Sequence, residues 1–327
     1  MKALLPQLVR VGSAIAALAA RCVPILLALA STACAGGATR AVVGDAHVHL
    51  SYRGPAALDA LAAHGVDLVR DCGGDAAQLR GWRDEIARGE RVGPRIYFSG
   101  RVIDGPKPLA LFRLTVHDAA EARAAVATLD AEGVDFIKTH SALSREAYFA
   151  VLDEAQRRGL SVASHLPAGV SVAEAAAAGV DSIEHGAESL LASVIGSGAA
   201  PDVEAAMAWW ESADGEAAID ALVAHRVAVV QTLVAYAQFT EQRRGTPQYE
   251  PRRRVLAFLV RLTGRLHRRG VVLMAGSDAA GPDAPIEPGA SVLRELELLR
   301  EAGLDAAALR RAAGPNLVDW LARAARR

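Results

Sequence analysis

The sequence predicts an α/β protein folded as a (β/α)8 barrel of the TIM type, and three observations support this prediction. Eight strand-like apolar segments alternate with helical segments along the chain. Most of the strand segments are apolar at nearly every residue, as parallel strands covered on both faces must be. Glycine stands between the end of a helical segment and the next strand at Gly65, Gly133 and Gly179. Eightfold strand–helix alternation is the pattern of such a barrel.

The elements follow one another with short connections that contain Gly, Pro or Asp. The eight predicted strands are 42–50, 66–72, 95–102, 134–139, 160–165, 181–185, 227–233 and 271–277. Between them lie helical patterns at 56–64, 76–88, 118–132, 145–158, 172–178, 190–224 and 252–269, and three more follow at 289–302, 305–313 and 316–324. Ala, Leu, Arg and Glu dominate these patterns and are good helix formers. The longest predicted active-site loop is 231–251.

Composition limits the partners of the chain. The 327 residues are 52% hydrophobic and 22% charged, and the formal net charge is -1. Because no basic stripe is present, nucleic acid is excluded as an expected partner. An aromatic content of 5% also offers no platform for stacking bases. A small-molecule substrate is the expected ligand, and self-association into a homo-oligomer is compatible with this composition.

Residues 1–35 have the layout of a bacterial secretory leader. Lys2 and Arg10 precede apolar runs, and small residues follow up to Ala35. We therefore predict an exported, periplasmic protein whose barrel domain spans 41–327. The alternative interpretation of the apolar runs is a buried first helix.

Cys34 indicates that the exported protein could instead carry a lipid anchor. Cleavage after Ala33 would leave Cys34 at the new N-terminus, as in a lipid-anchored envelope protein, and this anchor would be its membrane contact. Ser31 stands where such signals usually carry an aliphatic residue, so simple cleavage stays open. After cleavage Cys72 is the remaining cysteine of the body, which leaves no intramolecular disulfide and favours a packing role for its thiol.

Metal-competent side chains stand at the carboxyl ends of the predicted strands. His47 and His49 are two residues apart at the end of the first strand, so both rings point to the same side. Any one histidine at a strand end is more often structural. Because the strand ends of a barrel converge on one rim, however, the whole set predicts a metal site. The other members of the set are Lys138, His165, His185 and Asp278.

Lys138 needs a chemical reason to stand in this set, because an ammonium group cannot bind a cation. Burial and nearby metal charge favour the neutral amine. A neutral amine can add carbon dioxide to form a carbamate, whose two oxygens can bridge two metal ions. The alternative is a structural ion pair of Lys138 with Asp135 or Glu184.

These motifs together resemble those of the amidohydrolase superfamily, in particular its metal-dependent prolidase and imidazolonepropionase-like branch. The matching pieces span most of the predicted barrel and occur in the expected order. They are DAHVHL at 45–50, VRDCGG at 69–74, GPRIYFSG at 93–100, FIK at 136–138, VASH at 162–165, AGVDSIEHG at 178–186 and AGSD at 275–278.

The resemblance implies a role for each member of the set. His47, His49 and Asp278 are expected to bind the more buried of two divalent metal ions, and His165 and His185 the more exposed one. Lys138, as a carbamate, is expected to bridge them, and Asp278 to act as the catalytic proton carrier. Zinc suits a histidine-rich set best. The family often carries a flanking β-sandwich, which we expect to be missing or reduced in this chain.

The predicted function is hydrolysis of an amide C–N bond in a dipeptide, an N-acyl amino acid or a cyclic amide by a metal-dependent amidohydrolase. The alternatives are a lactonase or phosphotriesterase, a non-catalytic metal-binding barrel and a metal-dependent nuclease. Three further residues are candidates for substrate contact. His140 follows Lys138 closely, Tyr236 could steady an oxyanion, and Arg53 could hold a substrate carboxylate.

Overall fold

The computed structural model describes residues 41–106, 111–279, 281 and 286–324. From Val42 onward, these residues belong to one compact unit. The predicted leader lies outside the described residues. Within the described ranges, no helix combines the length and the apolar character that crossing a membrane would require.

Ten short strands in the described part of the chain form two parallel sheets. The strands are β1 Gly44–Val48, β2 Leu68–Asp71, β3 Arg95–Phe98, β4 Val102–Asp104, β5 Arg113–Thr115, β6 Ile137–Thr139, β7 Val162–Ser164, β8 Ser182–Glu184, β9 Ala228–Val230 and β10 Val272–Leu273. The first sheet has the order β1-β2-β3, and the second has the order β10-β9-β8-β7-β6-β4-β5. All pairings are parallel, which requires crossover connections between neighbours.

Backbone hydrogen bonds also run between the two sheets. Ala46 in β1 donates its N–H to the carbonyl of Ala275, just beyond β10, with an N–O distance of 2.8 Å. At the other edge of the first sheet, the N–H of Asp135 donates to the carbonyl of Phe98 in β3 at 2.9 Å. The edge strands of the first sheet are therefore bonded to residues next to β10 and β6.

Helices follow most of the strands. They are α1 Ala56–Ala63, α2 Ala76–Ala87, α3 Ala119–Ala131, α4 Arg145–Arg157, α5 Val172–Ala177, α6 Ala192–Gly196, α7 Val203–Trp210, α8 Ala213–Ala224, α9 Leu233–Glu241, α10 Tyr249–Arg268, α11 Ala290–Glu301, α12 Ala306–Ala313 and α13 Pro315–Ala324. Short polar side chains cap many of their N-termini by accepting a backbone N–H, which satisfies a donor that the helix leaves free. The caps are Asp75, Asp118, Ser144, Ser171, Asp202, Ser212 and Asp305.

Each of the eight predicted strands contains an observed strand, and one predicted strand corresponds to parts of two observed strands. The predicted strand 95–102 ends at Phe98, and Val102 begins a separate strand, β4. Gly100 has a φ of 63° between them, a left-handed conformation that interrupts the extended chain. Strand β5, which pairs with β4, was not predicted, because its residues are not apolar enough to indicate a strand.

The prediction of a long loop at 231–251 is wrong, because most of this segment is helical. Helix α9 occupies Leu233–Glu241 and α10 begins at Tyr249. Leu233, Val234 and Ala235 are buried, and the carboxylate of Glu295 in α11 accepts the N–H of Val234 at 2.7 Å. Gly245 and Pro247 lie in the short turn between these two helices, so their loop signal holds there but does not extend to the buried start of α9.

The last helix, α13, packs against the amino ends of the strands. Trp320 contacts the ring of Phe136, just before β6, with ring centroids 5.6 Å apart. Asn316 donates its side-chain N–H to the carbonyl of Leu273 in β10 at 2.8 Å. Buried apolar residues of β1, β2 and β9 complete this cluster. The core thus lies beneath the carboxyl ends of the strands, where polar side chains collect.

Candidate metal centre

The six predicted ligands lie together around one cavity of about 220 Å³. His47 belongs to β1, Lys138 to β6, and His165 and His185 follow β7 and β8 directly. Their side chains therefore come from the carboxyl halves of neighbouring strands, as the parallel arrangement dictates. His49 and Asp278 complete the set.

Three of these side chains form a compact group. The Nε2 atom of His49 lies 3.2 Å from Oδ1 of Asp278, and Nε2 of His47 lies 3.7 Å from the same oxygen. One donor atom from each of the three residues lies within 4.8 Å of the other two, a spacing that one metal ion could span.

The remaining histidines adjoin this group. The ring centroid of His185 lies 4.4 Å from that of His47 and 4.9 Å from that of His165. The His165 ring in turn lies 4.3 Å from His140. The imidazoles therefore form a continuous row along one side of the cavity, which suits more than one cation.

Hydrogen bonds orient the two histidines of the first motif. The Nδ1 atom of His47 lies 2.7 Å from Oε2 of Glu184, and Nδ1 of His49 lies 3.3 Å from the carbonyl oxygen of Gly73. Both partners are acceptors. The proton of His47 therefore lies on Nδ1 and its Nε2 keeps a lone pair, whereas Nε2 of His49 also faces an acceptor, Oδ1 of Asp278. Nε2 of His47 is buried without a hydrogen-bond partner among the described residues. A buried lone pair of this kind fits a metal ion.

The charge states of the ligands also suit a metal. Burial lowers the pKa of His47 to about 3 and that of His165 well below its usual value, so both imidazoles are neutral. Burial likewise lowers the pKa of Lys138. Burial favours the neutral form of Asp278, but the charges of His185 and the hydrogen bond from His49 outweigh it and lower the pKa of this carboxyl group.

Lys138 is almost fully buried, with 2% of its surface exposed, and its Nζ donates to the carbonyl of Thr139 at 2.8 Å. The two acids considered as alternative partners are held by other side chains. Asp135 binds Arg83, and Glu184 binds Arg70 and His47. This environment supports an uncharged amine next to the four histidines.

Two of the ligands have an unusual backbone conformation. His185 and Asp278 both have a φ of 60°, and Thr232, whose hydroxyl lies 3.0 Å from Nδ1 of His185, has a φ of 49°. Left-handed backbone at residues other than glycine costs roughly 1–3 kcal/mol and clusters at functional sites. The surrounding contacts therefore hold these side chains in place against a local cost.

The predicted substrate contacts divide into two groups. His140 and Tyr236 line the cavity, and Tyr236 does so from helix α9 rather than from a loop. Arg53 is exposed and does not belong to the cavity wall that the described residues form. Cys72 is fully buried at the cavity base, and burial raises its pKa, so the thiol stays protonated.

Several buried polar residues around the candidate ligands were not predicted to support them; Glu184 was considered only as an alternative partner of Lys138. Arg70 and Glu184 lie fully buried beneath His47, and Asp45 holds Ser277 beside Asp278. The sequence signal that could have identified them is a charged residue inside an apolar strand, because burying a charge is costly without a partner.

The cavity wall also contains aromatic rings that the sequence did not assign to it. Tyr52 and Phe112 meet edge to face, with centroids 5.0 Å apart, and Phe239 belongs to the same wall.

No family model and no curated protein matches this chain. Solved structures do match it with TM-scores of 0.64. One is the structure of an Xaa-Pro dipeptidase with bound methionine, which is 21% identical to this chain. The alignment covers 87% of this chain and 76% of the dipeptidase. A provisionally assigned prolidase from Bifidobacterium longum is 26% identical, with coverages of 87% of this chain and 70% of that one.

A third match is the bottromycin amidohydrolase, at 24% identity and 0.64 TM-score, with 86% of this chain and 67% of that chain aligned. These similarities confirm the resemblance that the motifs indicated. The chain has the fold of the prolidase-like branch of the amidohydrolase superfamily.

Proposed function

We propose that this chain is a hydrolase that uses two divalent metal ions to cleave an amide bond. The observation that carries the proposal is the convergence of four histidines, Lys138 and Asp278 on one cavity. The neutral imidazoles of His47 and His165, the buried amine and the unpartnered Nε2 of His47 all suit cation binding rather than a polar network closed on itself.

The residues that would hold the ions fall into two groups. His47, His49 and Asp278 would bind one ion, and His165 and His185 the other, with Lys138 as a carbamate between them. Nitrogen and carboxylate donors favour zinc. When bound, such ions lower the pKa of the attacking water and polarise the scissile carbonyl.

Asp278 supplies the proton transfer in this proposal. Its carboxylate accepts a proton from the attacking water and delivers it to the nitrogen that leaves. His49 holds the carboxylate through the 3.2 Å contact, and the left-handed backbone at Asp278 directs it into the cavity. The 21% exposure of the Asp278 side chain leaves it open to a substrate.

His140 and Tyr236 are the proposed donors to the carbonyl oxygen. Both line the cavity, and His140 stands beside His165. Burial raises the pKa of Tyr236, so its hydroxyl keeps the proton that it would donate.

The cavity wall indicates the class of substrate. Tyr52, Phe112 and Phe239 provide apolar surface beside the polar floor. A small amide with an apolar side group fits this wall, such as a dipeptide, an N-acyl amino acid or a cyclic amide. The names of the matching solved structures, an Xaa-Pro dipeptidase and an amidohydrolase, point to the same bond.

We also propose that the two sheets close into one barrel. The bonds from Ala46 to Ala275 and from Asp135 to Phe98 support a (β/α)8 barrel in which the two sheets are parts of one cylinder. We also propose that residues 1–35 direct export, a proposal that rests on their composition.

A hydrolysis screen of the metal-loaded protein tests the function. The panel contains Xaa-Pro and other dipeptides, N-acyl amino acids, cyclic amides, lactones and phosphotriesters, with metal content measured on the same sample. Amide hydrolysis at about two ions per chain supports the proposal. Activity on lactones or phosphotriesters alone would assign the site to ester chemistry, and two bound ions without turnover would indicate a metal-binding protein. A wild-type protein that binds no metal in the presence of zinc and bicarbonate would overturn the proposal.

A further inference from the structure

We infer that Arg70 and Glu184 form a positioning pair that fixes the ring and the tautomer of His47. The inference rests on the proposed function, because it concerns how His47 is prepared to bind a metal ion. Arg70 lies in β2 and Glu184 in β8, and His47 lies in β1. All three side chains have no exposed surface.

Four hydrogen bonds hold the Arg70 guanidinium to three residues. One nitrogen, Nη2, lies 2.7 Å from each carboxylate oxygen of Glu184. Nη1 donates to the hydroxyl of Ser182 at 2.9 Å, and Nε donates to the carbonyl of Ala46 at 2.6 Å. The Ser182 hydroxyl donates in turn to Glu184 at 2.6 Å. Arg70, which lies in β2, thus connects β1 and β8 beneath the candidate metal centre.

Aromatic rings complete the enclosure of the guanidinium. The Arg70 Cζ atom lies 4.5 Å from the centroid of the Trp320 ring and 5.4 Å from that of Phe136. Trp320 belongs to α13, the last helix, so this helix supports the pair from the amino ends of the strands. A guanidinium stacked in this way has little freedom to turn away from its carboxylate.

Glu184, which Arg70 holds in place, in turn fixes the orientation of the His47 ring. Both carboxylate oxygens of Glu184 accept hydrogen bonds from the Arg70 guanidinium, and Oε1 also accepts one from the Ser182 hydroxyl, so Glu184 acts as an acceptor here. Its Oε2 lies 2.7 Å from Nδ1 of His47, which must therefore carry the proton. The lone pair is then confined to Nε2, on the side of Asp278.

A buried ion pair is weak evidence for a contribution to stability, because desolvation can cost more than the attraction returns. Every polar atom of this pair, by contrast, is used to hold a specific geometry. This pattern is typical of groups that orient metal ligands, whose replacement commonly weakens metal binding by about 10–100-fold.

The experiment measures the tautomer of His47 and the affinity for zinc in the same variants. The protein is labelled with ¹⁵N-histidine, and the His47 resonances are assigned by their loss in His47→Asn. Spectra are recorded on chelator-treated protein, so this readout does not depend on metal or activity. Zinc affinity is then measured by competition with a chelating dye.

Glu184→Gln keeps the size of the side chain and removes its charge. We expect a mixture of His47 tautomers and a loss of zinc affinity of about 10–100-fold. Arg70→Lys keeps the charge but loses the fork of donors, so we expect a smaller change in the same direction. If Glu184→Gln does not fold, Arg70→Lys decides the question by the same two readouts.

Two matched variants serve as controls. Arg83→Lys changes a guanidinium that also stacks 4.5 Å from an aromatic ring, that of Phe98, and pairs with a carboxylate outside the site. Glu154→Gln changes a buried glutamate of α4 that pairs with Arg158, the residue after this helix. Neither should alter the His47 signals or zinc affinity.

A pure Nδ1–H tautomer with unchanged zinc affinity in both site variants would overturn the inference. So would losses of affinity of the same size in the control variants. If wild-type protein binds no zinc, the proposed function fails, whereas the tautomer of His47 in the metal-free variants still decides the role of the pair.

Discussion

Ser277 and Asp45, which are 232 residues apart in the chain, are hydrogen-bonded in the buried space beside the metal centre. The Ser277 hydroxyl donates to Oδ2 of Asp45 at 2.5 Å, and the Ser277 N–H donates to Oδ1 at 2.9 Å. The N–H of His47 donates to the same Oδ1 at 3.2 Å. Because Ser277 precedes Asp278, this one side chain connects His47 to Asp278, the proposed proton carrier.

Replacing Lys138 with alanine should reduce metal content and activity together, because no bridging group remains between the two sets of ligands. Added propionate should restore part of both, since a free carboxylate can occupy the space that the lysine leaves. Metal analysis and rate are measured in one preparation. If Lys138→Ala keeps two ions and the full rate, the carbamate is wrong and the lysine is structural.

Asp278→Asn should separate metal binding from turnover. The amide keeps the shape and one oxygen ligand but cannot accept a proton, so most metal should remain while kcat falls by about 10²–10⁴-fold. The measurement is kcat on a verified substrate, with metal content determined in parallel. Full activity of the asparagine variant would exclude the proton-carrier role.

Gly276→Ala should strain the metal centre. A Cβ at this position would lie 2.4 Å from Cγ1 of Val230 and 3.1 Å from Cβ of His47. Overpacking of this kind costs about 1–3 kcal/mol of unfolding free energy, measured by urea unfolding of metal-free protein. Gly81→Ala is the matched control, because its Cβ meets nothing within 4 Å and alanine in a helix should stabilise by roughly 0.5–1 kcal/mol. Equal effects of the two changes would contradict the packing argument.

Glu295 should make stability fall as the pH rises. Burial raises the pKa of this carboxyl group from 4.5 to about 8, so the folded protein keeps a proton that the unfolded chain releases. The contribution of Glu295 to the unfolding free energy should therefore decrease between about pH 4.5 and pH 8. Asp45, whose pKa burial raises to about 7, adds to this slope.

Glu295→Gln should flatten the dependence without abolishing it, because Asp45 still titrates. Thermal unfolding of chelator-treated protein at pH 5 and pH 8 measures the difference in Tm. Glu297→Gln, on the same helix and paired with Arg294, controls for the change of glutamate to glutamine. Parallel Tm curves for wild type and Glu295→Gln would show that Glu295 does not titrate in this range.

The leader should be removed when the full chain is produced in a bacterial host. The intact mass of envelope protein should correspond to a chain that begins within or just after the small residues that end at Ala35. Incorporation of labelled fatty acid, lost in Cys34→Ala, distinguishes lipidation from simple cleavage. A mature chain that begins at Met1 in the cytoplasm would contradict export.

The sequence alone determined the class of fold and selected the six candidate ligands that line one cavity in the structure. Parallel strands are apolar at both faces and end on the same side, so His165 and His185 could be assigned to one rim from their positions in the chain. The same reasoning separated Lys138 from ordinary surface lysines, because a charged group inside an apolar strand needs a chemical role.

Only the tertiary structure showed which residues support the ligands. The stacking of Arg70 on Trp320, its pairing with Glu184 and the bond from Ser277 to Asp45 join segments that no local pattern connects. Helix α9 could not be predicted from the sequence for the same reason, because a residue of another helix, Glu295, binds the backbone at its start. Periodicity and capping act within a few residues, whereas these contacts depend on how distant segments pack, and packing is decided when the whole core forms.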